Sequence, residues 1–372
     1  MNDRQTLSAQ QQLAAREFRK QCKWVLPGHP SAGLADEYAR MAEWTRANGV
    51  DQDIYGRGTF LNAFEKRIAE LLGKEAAVFL PTGTMAQQIA LRIWTEERGG
   101  RPFGMHPTSH LDLHEHRAYA RLHGMQARLL GSRQRPMLAE DLRACPEPLS
   151  TVLIELPYRE IGGQLPPWED LEVFKRLCAE RGARLHLDGA RLWETRPFYG
   201  GRSYAEICRG IDSVYVSFYK GIGAMNGALL AGPAGFVEQA RLWLRRHGGN
   251  LYQMTPFVVS AAMHLDRRLE QMPAFYERTR ALAELFRGIE GVRVNPDPPH
   301  TNMMHVHVRA TVERLIEARN RVAAEDKLWL FGFAQASDTP GGSYFELYVG
   351  ENALGLDPAM VRGGFAKLAE VT

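Results

Sequence analysis

The sequence predicts an α/β protein whose large domain holds a mostly parallel sheet covered by helices on both faces. From Thr59 onward, short apolar runs alternate with longer stretches of helical periodicity, an alternation typical of a parallel sheet. With 372 residues, the chain is long enough for a large domain and a smaller one. Two apolar runs, Ala183 to Leu187 and Ser213 to Phe218, end beside Asp188 and Lys220.

The first 50 residues predict a helical arm. Leu7 to Lys20 and Leu34 to Ala47 carry apolar side chains at helical spacing, and Pro27 and Pro30 interrupt the pattern between them. Such an arm packs on a neighbouring surface and by itself indicates no chemistry.

A helix, a strand and a turn follow in a pattern that can bind phosphate. The stretch after Thr59 predicts a helix that Gly73 ends, and Ala76 to Leu80 predicts a buried strand. Gly83 and Thr84 then lead into another helix, whose first backbone N–H groups can hold a phosphate. A plain connection, with Thr84 as the N-cap of that helix, fits the local sequence equally well.

The remaining part continues the alternation and then changes to an α+β pattern. The other predicted elements are strands at Val152 to Leu156, Ala228 to Ala231, Asn302 to Arg309 and Tyr344 to Val349, and helices at Trp168 to Arg181, Gly235 to Arg246, Pro256 to Phe286 and Val312 to Ala324. We therefore predict an N-terminal arm over residues 1–50 and a large domain over 51–255. A linking helix and a small C-terminal domain cover 256–372.

Composition and charge argue against several classes of function. The net charge is +3, no dense basic stretch occurs and Arg245 to His247 is only a short basic cluster, so we expect no nucleic-acid partner. No apolar run approaches the ~18 residues of a membrane helix, and the polar N-terminus has no signal-peptide core. The cysteines form no CxxC pair and the histidines lack zinc-site spacing, so we expect no metal. A cytoplasmic protein is the default expectation.

The acid and the lysine at the two strand ends suggest the chemistry. In an open α/β sheet, ligands bind outside the carboxyl ends of the strands, so Asp188 and Lys220 can face one crevice. Pyridoxal phosphate (PLP) is a cofactor that forms a Schiff base with a lysine and needs an acid at its pyridine nitrogen. The glycines after Lys220 have the spacing GxGxxxG, which does not match the dinucleotide fingerprint. We therefore expect PLP as the cofactor.

Five segments carry a resemblance to a known family, and they read DIYGRGTFLNAFEKRIAELLGKEAAVFLPTGTMA, SHLDLHEHRA, IGGQLP, LHLDGARLWE and KGIGAMNGALLAG. Together they make the chain similar to the threonine aldolase / β-eliminating lyase family, which consists of fold type I PLP enzymes with the aspartate aminotransferase-like fold. The resemblance runs from about Asp53 to Gly249 and continues more weakly to the C-terminus. It implies an active site at a subunit interface, and hence a homodimer or homotetramer.

The resemblance also implies roles for individual residues. Lys220 would form the Schiff base, Asp188 would hold the protonated pyridine nitrogen, and Arg191 would lie near the cofactor's phenolic oxygen and the substrate carboxylate. His110 would stack on the pyridine ring, with the acid Glu115 beside this stack. The alternative readings are a core histidine for His110 and a surface salt bridge for Arg191.

Four further positions match the family near the cofactor or the substrate. Gly83 and Thr84 match the phosphate-binding turn, and Ser217 matches a cofactor contact. Tyr55, in DIYG, matches a tyrosine near the site, although a tyrosine that only packs is nearly as consistent with the sequence.

The chain departs from the family where the substrate is bound. The family strand Glu-Asn-Thr-His-Asn reads Glu155 to Arg159 here, so Tyr158 replaces a histidine that is a candidate acid or base for the β-hydroxyl. A family arginine that clamps the substrate carboxylate aligns at or near Glu346, and a carboxylate there would repel the substrate. We hypothesise that Arg159 supplies the replacement charge. Tyr252, in GGNLYQ, replaces a family arginine near the cofactor or the subunit contact.

The predicted function is that of a PLP-dependent lyase, similar to threonine aldolase, which cleaves the Cα–Cβ bond of a β-hydroxy-α-amino acid to glycine and an aldehyde. One alternative is β-elimination or another PLP reaction on an amino acid, because the same cofactor residues would serve it. Another is a PLP-fold protein that binds a ligand without turnover. The intact set of Lys220, Asp188 and Arg191 argues against this last alternative.

Overall fold

The computed structural model describes residues 9–30 and 32–370, which divide into two compact units. The large unit comprises residues 32–160 and 164–271. The small unit comprises the described residues up to 30, together with 161–163 and 272–370. The domain boundaries predicted after residues 50 and 255 stay a prediction.

Helices and strands alternate along most of the described chain. The helices are α1 (Ala9–Gln21), α2 (Leu34–Ala47), α3 (Thr59–Leu71), α4 (Gly83–Glu97), α5 (His110–Leu113), α6 (Ala118–His123), α7 (Ala139–Arg143), α8 (Trp168–Glu180), α9 (Tyr204–Cys208), α10 (Ala234–Arg246), α11 (Thr255–Phe286), α12 (Val312–Glu325), α13 (Glu351–Leu354) and α14 (Pro358–Ala369). The strands are β1 (Trp24–Val25), β2 (Ala76–Leu80), β3 (Phe103–Met105), β4 (Ala127–Leu129), β5 (Thr151–Glu155), β6 (Arg184–Gly189), β7 (Ser213–Ser217), β8 (Ala228–Gly232), β9 (Val292–Asn295), β10 (Met303–Val308), β11 (Leu328–Trp329), β12 (Gln335–Ala336) and β13 (Ser343–Tyr348).

The large unit is built on a seven-stranded sheet with the order β2-β8-β7-β6-β5-β3-β4. Its neighbours are parallel except at β8, which runs antiparallel to both β2 and β7. The carboxyl ends of the other strands therefore meet at one edge of the sheet, where ligands of such sheets bind.

The sequences of these elements explain their burial. β5 (TVLIE), β7 (SVYVS) and β8 (ALLAG) are buried at every position, as expected for strands covered on both faces. α3 turns an apolar stripe that includes Phe64 and Ile68 inward, and Gly73 follows at a φ of 63°. A Cβ at Gly73 would also lie 2.9 Å from that of Ala205, so glycine relieves both the backbone strain and the crowding.

The small unit packs helices against an antiparallel sheet with the order β12-β13-β10-β9. A second, two-stranded sheet pairs β1 with β11 in parallel. Aromatic pairs fill the core of the small unit. Phe331 stacks on Phe345 with ring centres 4.0 Å apart, and Phe286 stacks on Phe365 with ring centres 3.8 Å apart.

The structure confirms the predicted fold class, and most predicted elements are observed within one or two residues. The helix predicted from Leu7 is observed from Ala9, and its first two residues lie outside the described part. The sequence reasoning missed short strands such as β3 and β4, because three residues carry too little periodicity to be recognised. Among the residues that the structure describes, no helix has the length and apolar character needed to cross a membrane.

Candidate active site

Three polar residues lie at the edge of the large sheet where its parallel strands end. Glu155 ends β5, and Asp188 is paired with it in register near the end of β6. Their exposed fractions are only 5% and 6%. Lys220 follows shortly after β7, and the charge of Asp188 acts on its amine. The structure thus brings together the acid and the lysine that the sequence placed at two strand ends.

The surroundings of Lys220 favour its neutral amine. The pKa of Lys220 is lowered to about 8, chiefly by burial and next by the positive charge of Arg191, while the charge of Asp188 opposes both effects. Arg159 makes a smaller contribution that also lowers the pKa. At pH 7, roughly a tenth of the molecules therefore carry a neutral amine that can act as a nucleophile.

The segment that follows Asp188 is fixed by hydrogen bonds to the neighbouring strand. Asp188 Oδ1 accepts the N–H of Ala190 at 3.0 Å, and Ser217 Oγ donates to the carbonyl of Ala190 at 2.7 Å. Trp193 Nε1 in turn donates to the carbonyl of Ser217 at 2.9 Å. These bonds hold Arg191, which lies in the same segment and is half-buried, next to the strand ends. The cofactor contact expected of Ser217 stays a prediction.

His110 is held by a hydrogen-bonded relay that begins on α4. Gln88 Nε2 donates to Glu115 Oε2 at 2.9 Å, and His110 Nδ1 lies 2.9 Å from Glu115 Oε1. Glu115 is buried, whereas 35% of the His110 side chain is exposed. When ionised, Glu115 accepts from both side chains and fixes the orientation of the imidazole ring. The structure therefore joins His110 and Glu115, as the resemblance implied.

The helix α4 starts at the carboxyl end of β2, with Thr82 rather than Thr84 as its N-cap. The Thr82 hydroxyl accepts the N–H of Met85 at 3.3 Å. A Cβ at Gly83 would come within 1.9 Å of the Tyr215 hydroxyl, so only glycine fits there. The first turn of α4, all of it within the described residues, carries no acidic side chain. The positive end of the helix dipole is thus suited to an anion such as a phosphate.

Glu155 is a member of the site that the sequence reasoning did not single out. Its Oε1 accepts the backbone N–H of His110 at 3.1 Å. Burial raises the pKa of Glu155, and the negative charge of Asp188 raises it further. The position of Glu155 at the end of a predicted buried strand was the one signal from which it could have been found.

Tyr158 lies in the interior of the large unit, with an exposed fraction of 1%. Its ring packs against that of His106 with the ring centres 4.9 Å apart. Burial raises the pKa of the Tyr158 hydroxyl far above its usual value, so the hydroxyl stays protonated. The acid–base role of Tyr158 stays a prediction, and in this environment it is limited to donating a proton or a hydrogen bond.

Arg159 follows in a short 3-10 helix, Arg159–Ile161. Its Nη1 donates to Glu160 Oε1 at 2.9 Å, and 33% of its side chain is exposed. Because its charge lowers the pKa of Lys220, it lies close enough to act on groups near that amine. The carboxylate-binding role of Arg159 is thus consistent with its place but stays a prediction.

Tyr55 and Tyr252 form an exposed pair on the large unit. The N–H of Tyr55 donates to the carbonyl of Tyr252 at 2.9 Å, and their rings meet edge to face with centres 5.3 Å apart. Their exposed fractions are 54% and 59%. The buried Asp53 fixes both segments, since it accepts the N–H groups of Gly56 and Met254. Tyr55 is therefore held rigidly at the surface and is not a packing residue of the large unit.

Glu346 belongs to the small unit. β13 places it opposite His305 of β10 in the antiparallel sheet, and it is half-buried. Its alignment with the family's carboxylate-binding arginine stays a prediction.

The fold and this arrangement define the class, that of fold type I PLP-dependent enzymes. The chain belongs to the Beta-eliminating lyase family, which it matches over residues 35–311. This confirms the family that the sequence segments indicated.

Solved structures and a curated relative support the same assignment. The chain is similar to a candidate L-allo-threonine aldolase from Listeria monocytogenes EGD-E, with 38% identity and a TM-score of 0.90 over 97% of this chain and 100% of that one. It is also similar to a candidate aromatic amino acid β-eliminating lyase/threonine aldolase from Exiguobacterium sp. 255-15, with 38% identity and a TM-score of 0.89 over 96% and 99% of the two chains. The low specificity L-threonine aldolase of Escherichia coli K12 is 29% identical over 290 residues, 75% of this chain and 85% of that protein. These similarities confirm the prediction of a threonine aldolase-like lyase.

Proposed function

We propose that the chain uses PLP to cleave the Cα–Cβ bond of a β-hydroxy-α-amino acid, which yields glycine and an aldehyde. The observation that carries the proposal is the meeting of Lys220 and Asp188 at the ends of adjacent strands, with the pKa of the lysine lowered to about 8. The threonine aldolases among the relatives support the choice of this reaction over other PLP reactions.

The donor set fits the chemistry of PLP. Lys220 offers an amine, Asp188 offers a buried carboxylate for the pyridine nitrogen, and His110 offers a ring at the same edge of the sheet. The start of α4, at Gly83 and Thr84, suits the phosphate. When bound, PLP supplies an electron-withdrawing ring that stabilises negative charge at the substrate's Cα.

Two arginines are suited to bind the substrate's carboxylate. Arg191 and Arg159 are the cations whose charges lower the pKa of Lys220, so both lie near the place where the amine of the substrate must arrive. A guanidinium can bind a carboxylate through two parallel hydrogen bonds, which fixes the orientation of the substrate as well as its position. Arg159 thereby supplies the positive charge that the family's carboxylate-binding arginine would provide.

The β-hydroxyl proton has to leave when the Cα–Cβ bond breaks. Tyr158 is protonated because of its burial, so it can donate to the hydroxyl oxygen but cannot take the proton. A water molecule is therefore the base that this site favours. When it takes the β-hydroxyl proton and the Cα–Cβ bond breaks, the β-oxygen becomes the carbonyl oxygen of the released aldehyde.

A second copy of the chain is the partner that the exposed tyrosines favour. Ile54, Tyr55 and Tyr252 are each more than half exposed, and the buried Asp53 holds their segments rigid. Exposed large apolar side chains on a rigid segment are characteristic of a contact surface. A homodimer or a homotetramer would cover them, and light scattering of the purified protein tests this part.

The absorption spectrum and the reaction products test the proposal. We expect the visible absorption band of bound PLP in the wild type and in the control Lys66→Ala, whose side chain is 79% exposed, and its loss in Lys220→Ala. Threonine and phenylserine should then give glycine and an aldehyde in equal amounts. A wild-type protein without the band would contradict the cofactor, and a band without aldehyde release would contradict the reaction.

Elimination is the second candidate, because the family to which the chain belongs is described as β-eliminating. The cofactor residues would be the same, so only the products separate the two reactions. Release of ammonia and an α-keto acid from serine or a β-substituted alanine, with no aldehyde from threonine, would favour elimination.

A further inference from the structure

Glu160, which lies outside the predicted site, contacts Arg159 and is itself contacted by His114. Glu160 Oε1 accepts a hydrogen bond from Arg159 Nη1 at 2.9 Å, and His114 Nε2 lies 2.8 Å from the same oxygen. The side chain of Glu160 is only 8% exposed, whereas those of Arg159 and His114 are each 33% exposed. The nearly buried carboxylate of Glu160 thus links Arg159 to His114. Because this carboxylate is shielded from water, its contacts are screened less than those of an exposed ion pair.

His114 is itself fixed to the segment that carries His110. The N–H of His114 donates to the carbonyl of His110 at 2.8 Å, and the two rings lie 5.0 Å apart. His110 is held in turn by Glu115. A chain of contacts therefore runs from Glu115 through His110 and His114 to Glu160. Through Glu160 it holds the guanidinium of Arg159 from the side of α5.

An arginine that receives a ligand carboxylate binds it more tightly when its side chain is ordered before the ligand arrives. The side chain has many rotamers, and ordering them on binding reduces the affinity. In this site, the substrate carboxylate has to be placed while its amine lies at Lys220, so the direction of the guanidinium matters as well as its charge.

We propose that Glu160 and His114 are positioning residues for Arg159, which hold its guanidinium beside Lys220 so that it receives the carboxylate of the amino-acid substrate. This inference rests on the proposed function, in which Arg159 binds that carboxylate. It adds two residues to the determinants of substrate specificity in this chain.

Ligand pairs with and without a carboxylate test the inference. The PLP-loaded enzyme is titrated with glycine and with ethanolamine, which keeps the amine and lacks the carboxylate, and binding is followed by the change in the visible spectrum. The variants are Arg159→Ala, Glu160→Ala and His114→Leu, with Glu160→Gln and His114→Gln as conservative variants that keep an acceptor or a donor. Arg117→Gln, which removes the exposed ion pair with Asp112, is the matched control in the same region.

We expect Arg159→Ala to weaken glycine binding about tenfold or more and to leave ethanolamine binding within about twofold of the wild type. Glu160→Ala and His114→Leu should weaken glycine binding about three- to tenfold. They should raise the KM for the substrate with little change in kcat, and the conservative variants should recover most of the loss. Arg117→Gln should bind both ligands like the wild type.

The outcomes that overturn the inference are distinct from those that overturn the proposed function. If Glu160→Ala and His114→Leu weaken glycine and ethanolamine equally, or leave both unchanged while Arg159→Ala weakens glycine, the positioning role is wrong and the role of Arg159 stands. If Arg159→Ala leaves glycine binding unchanged, both roles are wrong. The lyase reaction is judged separately, from aldehyde release by the wild type.

Discussion

Glu155 and Asp188 are paired in register at the carboxyl ends of β5 and β6, and both carboxyl groups are buried. Two like charges in a poorly hydrated site repel each other, and burial adds to the cost of ionising either one. Asp188 accepts the N–H of Ala190, and burial together with the charge of Asp188 raises the pKa of Glu155. Glu155 therefore keeps its proton to a higher pH than a free glutamate does.

The variant Glu155→Gln copies the protonated side chain, so it should bind PLP about as well as the wild type at neutral pH. Stability should differ at alkaline pH. When folding raises the pKa of a carboxyl, the group contributes to stability. This contribution is fully present below the carboxyl's usual pKa of about 4.3 and is lost as the pH rises through its pKa in the folded protein. The wild type should therefore lose thermal stability between about pH 5 and pH 9 by more than Glu155→Gln does.

Melting temperatures of both proteins across this pH range check the prediction. Glu70→Gln removes a carboxylate that is 67% exposed and serves as the control, whose profile should follow that of the wild type. If the melting temperatures of the wild type and Glu155→Gln change with pH in the same way, folding does not raise the pKa of Glu155.

The charge of Arg191 is expected to control the reactivity of Lys220. It adds to burial in lowering the pKa of the lysine, so Arg191→Gln should raise that pKa. The rate at which Lys220 of the cofactor-free protein condenses with an aldehyde should then have its pH midpoint near 8 in the wild type and above 8 in the variant.

Arg176→Gln, at an exposed position of α8, is the control and should keep the wild-type midpoint. An unchanged midpoint in Arg191→Gln would show that burial alone sets the reactivity of Lys220. The approach of the substrate carboxylate to Arg191 would then have no effect on the amine.

The central part of the site could be predicted because local patterns carry it. Apolar runs that end in Asp188 and just before Lys220 mark the ends of buried strands, and parallel strands end at the same edge of a sheet. The phosphate-binding role of this turn stays a prediction that rests on the same kind of pattern, since Gly83 follows a buried strand and begins a helix. The choice of Thr84 as N-cap was open, and the structure assigns the cap to Thr82, whose hydroxyl reaches the N–H of Met85.

The rest of the site depends on contacts between distant segments. The register that sets Glu155 beside Asp188 and the hydrogen bond from His114 to Glu160 exist only in the folded chain. Tyr158 shows how substitution can mislead. Its place in the family strand suggests the role of a histidine, but its burial against His106 determines its protonation state. This burial cannot be predicted from the local sequence.

Gly83→Ala should reduce the affinity for PLP at least tenfold, because a Cβ at this position would come within 1.9 Å of the Tyr215 hydroxyl and displace the start of α4. Gly235→Ala is the matched control, since that glycine lies near the start of α10 and the methyl group of an alanine there would have no neighbour within 4 Å. It should leave PLP binding unchanged and stabilise the protein slightly, because alanine favours the helix. Equal affinities in the two variants, measured by titration of the cofactor-free proteins with PLP, would mean that the phosphate binds elsewhere.

Truncation of two phenylalanines in one loop of the small unit should have very different effects on stability. Phe331 is fully buried and stacks on Phe345 at 4.0 Å, whereas Phe333 is 60% exposed. Phe331→Ala leaves a cavity that the remaining ring of Phe345 cannot fill and should lower the free energy of unfolding by about 3–5 kcal/mol. Phe333→Ala should change it by no more than about 0.5 kcal/mol. Urea unfolding of both variants measures the difference, and equal losses would mean that the stacked pair does not organise the core of this unit.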